Sequence, residues 1–344
     1  MTTSLVPLTH GGTHREASSD SPPAGAAPSH RGRRTRLKAL AATIVAAGLV
    51  SAGCAKGNVD GSDQAGTQGT NERVASLGLG DSDTLLALGV APVTIAAWGQ
   101  KGDVDASGVG PWAKDLLGDK KPSVIYDVAR GFTPQVIEEV TKADPTKIIA
   151  VNQAVDKQAA DSLNKIAPTT LKPEGTQDWQ IPWQDQVKTI AGAVDKKDKG
   201  EDLIGRTNKA FEEFRKNHPE LQGKKAAVVM PYQGKLGLYT SGDGRGAFIE
   251  SLGFDIPKEL EGDGKTFYRD IAPENYDQLN SVDYLFVLDY QGAVDAVRKE
   301  PTFNNLDVVR QGKVRFLSED TGNAMSMPNP VTIPWAIEQL KSSL

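Results

Sequence analysis

Short apolar runs alternate with amphipathic stretches over residues 73–344, and one long amphipathic stretch, Lys199 to Asn217, breaks the series in the middle. Val74 to Leu77, Val93 to Ala97, Ser123 to Tyr126 and Lys147 to Val151 are predicted strands; Asp83 to Leu88, Pro134 to Ala143 and Asp156 to Ile166 are predicted helices. Lys147 to Val151 is almost continuously apolar, as a strand buried on both faces must be. Strands that alternate with helices build a parallel sheet covered by helices. A helix over Pro182 to Val194 comes next. Lys199 to Asn217 then sets Leu203, Ile204, Thr207, Ala210, Phe211 and Phe214 on one face with charge opposite. His218-Pro219 ends it, because proline pushes the residue before it out of the helical region. A second series follows, with strands at Lys225 to Met230, Asp283 to Leu288 and Val314 to Leu317, and helices at Arg245 to Leu252, Pro273 to Asn280 and Ile333 to Lys341. The expected fold is α/β: two Rossmann-like lobes with parallel sheets, residues 73–198 and 219–344, joined by one long bridging helix, residues 199–218. A single stiff connector allows only small hinge movements.

The N-terminal region has a different character. Arg31, Arg33, Arg34, Arg36 and Lys38 precede an apolar run from Ala39 to Val50, which ends in Ser51-Ala52-Gly53-Cys54. Basic region, apolar region and small residues in that order describe a secretory signal over residues 1–53. The run is too short to cross a bilayer, which needs about 20 apolar residues. Cys54 is the only cysteine in the chain, so an intramolecular disulfide is excluded. Its place after the small residues resembles a bacterial lipobox, in which the cysteine is lipidated and becomes the new N-terminus, although Ser51 stands where the pattern has Leu. The export route, general or twin-arginine, stays open, since Arg36 stands where the twin-arginine motif wants an apolar residue. Residues 54–72, rich in Gly, Ser, Asp, Gln and Thr, suit a flexible tether. A body held by a lipid on the outer face of the cell membrane is expected, and a monomer.

Charge narrows the partners. Setting aside residues 1–53, with six Lys or Arg and two Asp or Glu, leaves 33 basic and 42 acidic residues, a net of −9. No basic block remains, which argues against a nucleic-acid partner. The chain has four histidines, of which three lie in the signal region and the fourth is His218. One peripheral imidazole builds neither a zinc or manganese site nor a histidine-based hydrolase. No residue is assigned as a metal ligand, and no cofactor is expected.

Several segments, in order, resemble the substrate-binding lipoproteins of ABC importers for ferric siderophores, cobalamin and haem, which have the class III periplasmic-binding-protein fold. Leu86 to Val90 with Val93 to Ala97 is similar to the family's opening helix and strand. Glu138-Glu139-Val140 through Pro145 to Ile148-Ile149 matches a helix, proline and strand of the first lobe. Asp161 to Thr169 resembles a segment that ends in an apolar-Ala-Pro-Thr turn. Glu274 to Leu279 followed by Asp283 to Val287 is similar to the matching helix and strand of the second lobe. The resemblance implies capture of a ferric siderophore, with the iron held by its chelator, and delivery to a permease. It does not imply catalysis. It also implies that Glu138 and Glu274, one acid on each lobe, dock on arginine pockets of that permease; such charges orient and speed an encounter. A haem or cobalamin receptor is the alternative within this fold, and a surface enzyme or adhesion module the alternative outside it.

In a two-lobed α/β protein the ligand meets the carboxyl ends of the strands. The residues just beyond the predicted strands are therefore the candidate ligand contacts: Trp98, Arg130, Asn152, Gln153, Tyr232, Tyr239, Arg245, Tyr290 and Met325. Aromatic faces and guanidinium groups suit a large, partly planar, often anionic chelate. Arg245 is the favoured one. It opens a helix after Gly242-Asp243-Gly244, where backbone amides already favour an anion, and is expected to be exposed at the cleft. Gly242, Gly244 and Gly246 also suggest a dinucleotide loop, but the third glycine falls one residue short of the G-x-G-x-x-G spacing.

Overall fold

The computed structural model describes residues 72–99, 101–102, 104–126, 128, 131–262 and 266–344. Cys54, Arg130 and the signal region lie outside the described residues. The chain forms two five-stranded sheets. The first contains β1 (Val74–Ser76), β2 (Thr94–Ala96), β3 (Ser123–Ile125), β4 (Lys147–Ala150) and β5 (Thr169–Leu171) in the order β3-β2-β1-β4-β5. Every pair in it is parallel. The apolar runs are what the two-sided burial needs. Ala75, Ile148 and Ala150 face Val136 and Val140 of helix α3 (Pro134–Lys142) and Leu163 of α4 (Lys157–Asn164). Val74 and Ile149 face Leu85 of α1 (Asp81–Ala87), Ile190 of α5 (Trp183–Ala193) and Leu203 of α6 (Lys197–Asn217). The short helix α2 (Lys114–Leu117) lies between β2 and β3 in the chain.

The second sheet contains β6 (Ala226–Tyr232), β7 (Lys235–Tyr239), β8 (Tyr268–Ile271), β9 (Tyr284–Leu288) and β10 (Val314–Leu317) in the order β10-β9-β6-β7-β8. The α/β class and the parallel pairing of β6, β9 and β10 match expectation. The sheet is mixed, however, because β6, β7 and β8 pair antiparallel. The hairpin that turns β6 into β7 uses two residues, Gln233 at φ 48° and Gly234 at φ 76°. Left-handed backbone at both positions is the two-residue turn whose twist matches paired strands. Around this sheet lie α7 (Gly244–Ser251), α8 (Lys258–Glu261), the single turns α9 (Val294–Val297), α10 (Pro301–Asn304) and α11 (Asp307–Arg310), then α12 (Glu319–Ser326) and α13 (Thr332–Lys341).

Two predicted elements take another form. Pro273–Ser281 is a 3-10 helix. Tyr276, Leu279 and Val282 are all buried, and a spacing of three matches the three-residue turn of that helix. The residues beyond Leu317, which carry the candidate contact Met325, form α12, capped where the Ser318 side chain accepts from the Thr321 amide. The long helix exists as expected and spans 21 residues, about 31 Å at 1.5 Å per residue. Its Ile204, Phe211 and Phe214 join a core that holds Ile95, Trp112 and Val187 from the first half and Val228, Phe248 and Phe286 from the second. Both sheets belong to one compact unit.

Candidate functional site

The order of the first sheet reverses direction between β1 and β4, and the crevice beyond that point is where an open α/β sheet takes a ligand. Here the crevice is filled from within. Asp81, at the start of α1, turns its carboxylate back to accept from the Val151 amide at 2.7 Å and from the Asn152 amide at 3.3 Å. Gln186 of α5 donates to it at 2.8 Å. Gly78 makes room, since a Cβ there would stand 2.1 Å from the Asp81 carboxylate. The structure brings Asn152 and Gln153 to the same edge, but their amides are committed to backbone: Asn152 donates to the Leu79 carbonyl at 2.9 Å and Gln153 to that of Leu77 at 3.3 Å. Gln153 is 1% exposed and Asn152 9%.

Two residues further on, Asp83 joins distant parts of the chain. Its Oδ2 accepts from the Trp112 indole at 2.8 Å and from the Asn329 amide at 3.2 Å. Burial pushes both carboxyls up to about 6; the hydrogen bonds oppose that shift, and for Asp83 the charge of Asp81 adds to it. The sequence reading missed both acids. Asp81-Ser82-Asp83 beside Gly78 and Gly80 was the available signal. Trp98 lies half-buried, 5.5 Å from the Trp112 ring, and Trp112 lies 5.6 Å from Trp335.

The second sheet gathers tyrosines. Tyr232 ends β6 and Tyr290 follows β9; their rings meet edge to face at 5.9 Å, and both are half-buried. Tyr239 lies 5.4 Å from Tyr268, across a gap that only glycine leaves, because a Cβ on Gly237 would stand 2.3 Å from the Tyr268 ring. Tyr239 is buried, and its hydroxyl donates to the Met230 sulfur at 3.7 Å. Loss of solvent raises its pKa.

Arg245 does not stand exposed at a cleft. It is 3% exposed. Its guanidinium lies 4.1 Å over the Tyr239 ring, and its Nη1 donates at 3.1 Å to both carboxylate oxygens of Asp243. The Arg245 amide also donates to Asp243 at 2.8 Å, so the same acid caps α7. The glycines of this turn serve packing. A Cβ on Gly246 would stand 2.0 Å from the Thr240 carbonyl oxygen, and one on Gly244 would stand 2.7 Å from Pro328. Met325 lies in α12 and is fully buried, not in a loop at the strand ends. Glu138 stands exposed on α3, where the Lys142 ammonium at 2.7 Å holds its carboxyl below the usual range. Glu274 is exposed in the first turn of the 3-10 helix. His218 sits at the end of α6, 4.6 Å from the Phe214 ring.

Comparison with known proteins gives this arrangement a context. The chain is 27% identical over 306 residues to the Fe(3+)-citrate-binding protein YfmC of Bacillus subtilis, covering 83% of this chain and 90% of that one. It is 29% identical over 189 residues to the probable siderophore-binding lipoprotein YfiY of the same organism, covering 55% of this chain and 53% of that one. The structure of PiaA from Streptococcus pneumoniae in complex with ferrichrome superposes with a TM-score of 0.66 at 27% identity, covering 79% of this chain and 92% of that one. Residues 74–321 match the periplasmic binding protein family. The chain belongs to that family, which binds solutes and does not transform them.

Proposed function

We propose that this protein is the extracytoplasmic receptor of an ABC importer, that it binds a ferric siderophore between its two sheets, and that it hands the chelate to the permease. The observation that carries this reading is the half-buried tyrosine pair Tyr232–Tyr290 at the carboxyl edge of the second sheet, in a chain whose relatives are named for ferric citrate and a siderophore and include one solved in complex with ferrichrome. Aromatic faces offer a large chelate apolar area and edge contacts without competing for its iron. Trp98 and Arg130 complete the contact surface from the first half. Asn152, Gln153, Tyr239, Arg245 and Met325 act from behind it, since all five are buried. Glu138 and Glu274 dock on the permease. The lobes divide at 73–198 and 219–344, and lipidated Cys54 tethers the monomeric body through residues 54–72 to the membrane.

Titration of the purified protein with coloured ferric chelates tests this reading. A ferric siderophore should quench tryptophan and tyrosine fluorescence with micromolar or tighter affinity. Saturable binding of haem, with its Soret band, and of no ferric siderophore would replace this reading with a haem receptor.

A further inference from the structure

The charges beside the tyrosine edge occur as closed pairs. Tyr232, Met230 and Val228 of β6 stand opposite Lys235, Gly237 and Tyr239 of β7. Gly237 and Tyr239 stand in turn opposite Asp270 and Tyr268 of β8. These residues share one face, because successive strand residues alternate sides. Lys235 on this face is bound by Asp270 at 3.2 Å, and the Tyr268 hydroxyl donates to the other oxygen of that acid at 2.6 Å. Arg245 lies beneath the face, against Tyr239, bound by Asp243. The side chains of Arg245 and Asp243 are 3% and 7% exposed, so water does not screen the arginine; its carboxylate does. Further along the edge the next charges are acids: Asp289 directly follows β9, and Glu319 accepts from the Gln291 amide at 3.2 Å. Burial raises the pKa of the Tyr268 and Tyr239 hydroxyls, so both stay neutral phenols.

A buried cation paired with a carboxylate presents little net charge, so it attracts an anionic chelate far less than an unpaired one would. Among the described residues of this edge, Lys235 and Arg245 are both paired with a carboxylate. Kinship does not choose the ligand's charge, because the ligands named for the relatives include both anionic ferric citrate and uncharged ferrichrome. We infer that Asp243 is a specificity-determining residue: by neutralising Arg245 behind the tyrosine edge, it removes the second sheet's pull on anionic citrate and catecholate chelates and shifts the site toward ferric chelates without net charge, of the trihydroxamate type, while any pull from Arg130 on the first half is the same in wild type and Asp243 variants. The inference rests on the receptor reading above, and Asp243 acts through Arg245 without touching the ligand.

The test is fluorescence titration with ferrichrome, ferric citrate and ferric enterobactin. The wild type should prefer ferrichrome by about tenfold or more. Asp243→Asn keeps an oxygen to cap α7 but frees the Arg245 charge. It should raise the ratio of anionic to neutral affinity by about tenfold, the order expected of one uncompensated charge acting on the ligand through the tyrosine layer. Asp243→Ser, a second uncharged cap, should shift it the same way. Equal loss for all three chelates would make Asp243 a structural residue only and overturn the inference. So would a wild type that prefers an anionic chelate, a result that stands even if both variants fail to fold. Binding of none of the three by the wild type would instead overturn the receptor reading.

Discussion

Asp83 shows at the scale of one side chain what burial does to a charge. Its Oδ2 accepts both of its hydrogen bonds, and Asp81 lies close enough to add repulsion. The folded-state pKa of each acid is raised from 3.8 to about 6. Protonation therefore favours the fold. That contribution is complete below about pH 4 and is lost as pH rises through about 6. Asp83→Asn places a neutral amide oxygen where both donors already point. At about pH 7.5 it should raise the thermal midpoint, by about 2–4 °C for each kcal/mol recovered, and near pH 4.5 the gain should vanish. A midpoint lowered at about pH 7.5 and unchanged near pH 4.5 would show that the carboxylate, and not merely an acceptor, is needed. The residue scale is also where the sequence was least legible. Strand ends single out Asn152 and Gln153, and a helix start singles out Arg245, yet neither the burial of these residues, nor the backbone bonds of the two amides, nor the Asp243 partner of the arginine follows from a linear pattern. Asp81 and Asp83 looked like the ordinary acids of a first helical turn, since only the fold shows that they are buried.

Among elements, the parallel strands and the long helix were legible because periodicity reports burial directly: runs such as Lys147 to Val151 need two covered faces, and α6 needs one. The β6–β7 hairpin was not legible. Gln233-Gly234 lacks the asparagine that usually marks such a turn, and Pro231 stands before it. The Gly242–Gly246 segment was legible as special but not in purpose. Packing and ligand binding make different demands there. Gly246→Ala drives a Cβ into the Thr240 carbonyl at 2.0 Å, whereas a Cβ on Gly242 meets nothing nearer than 3.6 Å. Urea unfolding should show a loss of about 2–4 kcal/mol for Gly246→Ala, in the range of overpacking or worse, and less than about 0.5 kcal/mol for Gly242→Ala. Equal costs at the two positions would mean that the turn, and not the α7 contact, selects glycine.

For the whole molecule, the two halves are held at more than the helix. The Asp83–Asn329 bond and the Trp112–Trp335 contact join residues far apart in the chain, and the core around α6 takes side chains from both sheets. Contacts of this kind oppose large movement of one half against the other, as a single stiff connector also does. Glu138 stands exposed on α3 and Glu274 exposed on the 3-10 helix of the second half. Neither supports the core, and the exposed Glu138–Lys142 pair adds little to stability. Charge reversal at both, Glu138→Lys with Glu274→Lys, should therefore leave the thermal midpoint and the affinity for ferric chelate unchanged while uptake of the labelled chelate by cells falls to background. Each single reversal should reduce uptake less and make it more sensitive to ionic strength, as expected when one of two steering contacts is lost. Normal uptake by the double variant would remove the docking role. Weakened chelate binding would place one of these acids at the ligand and not at the permease.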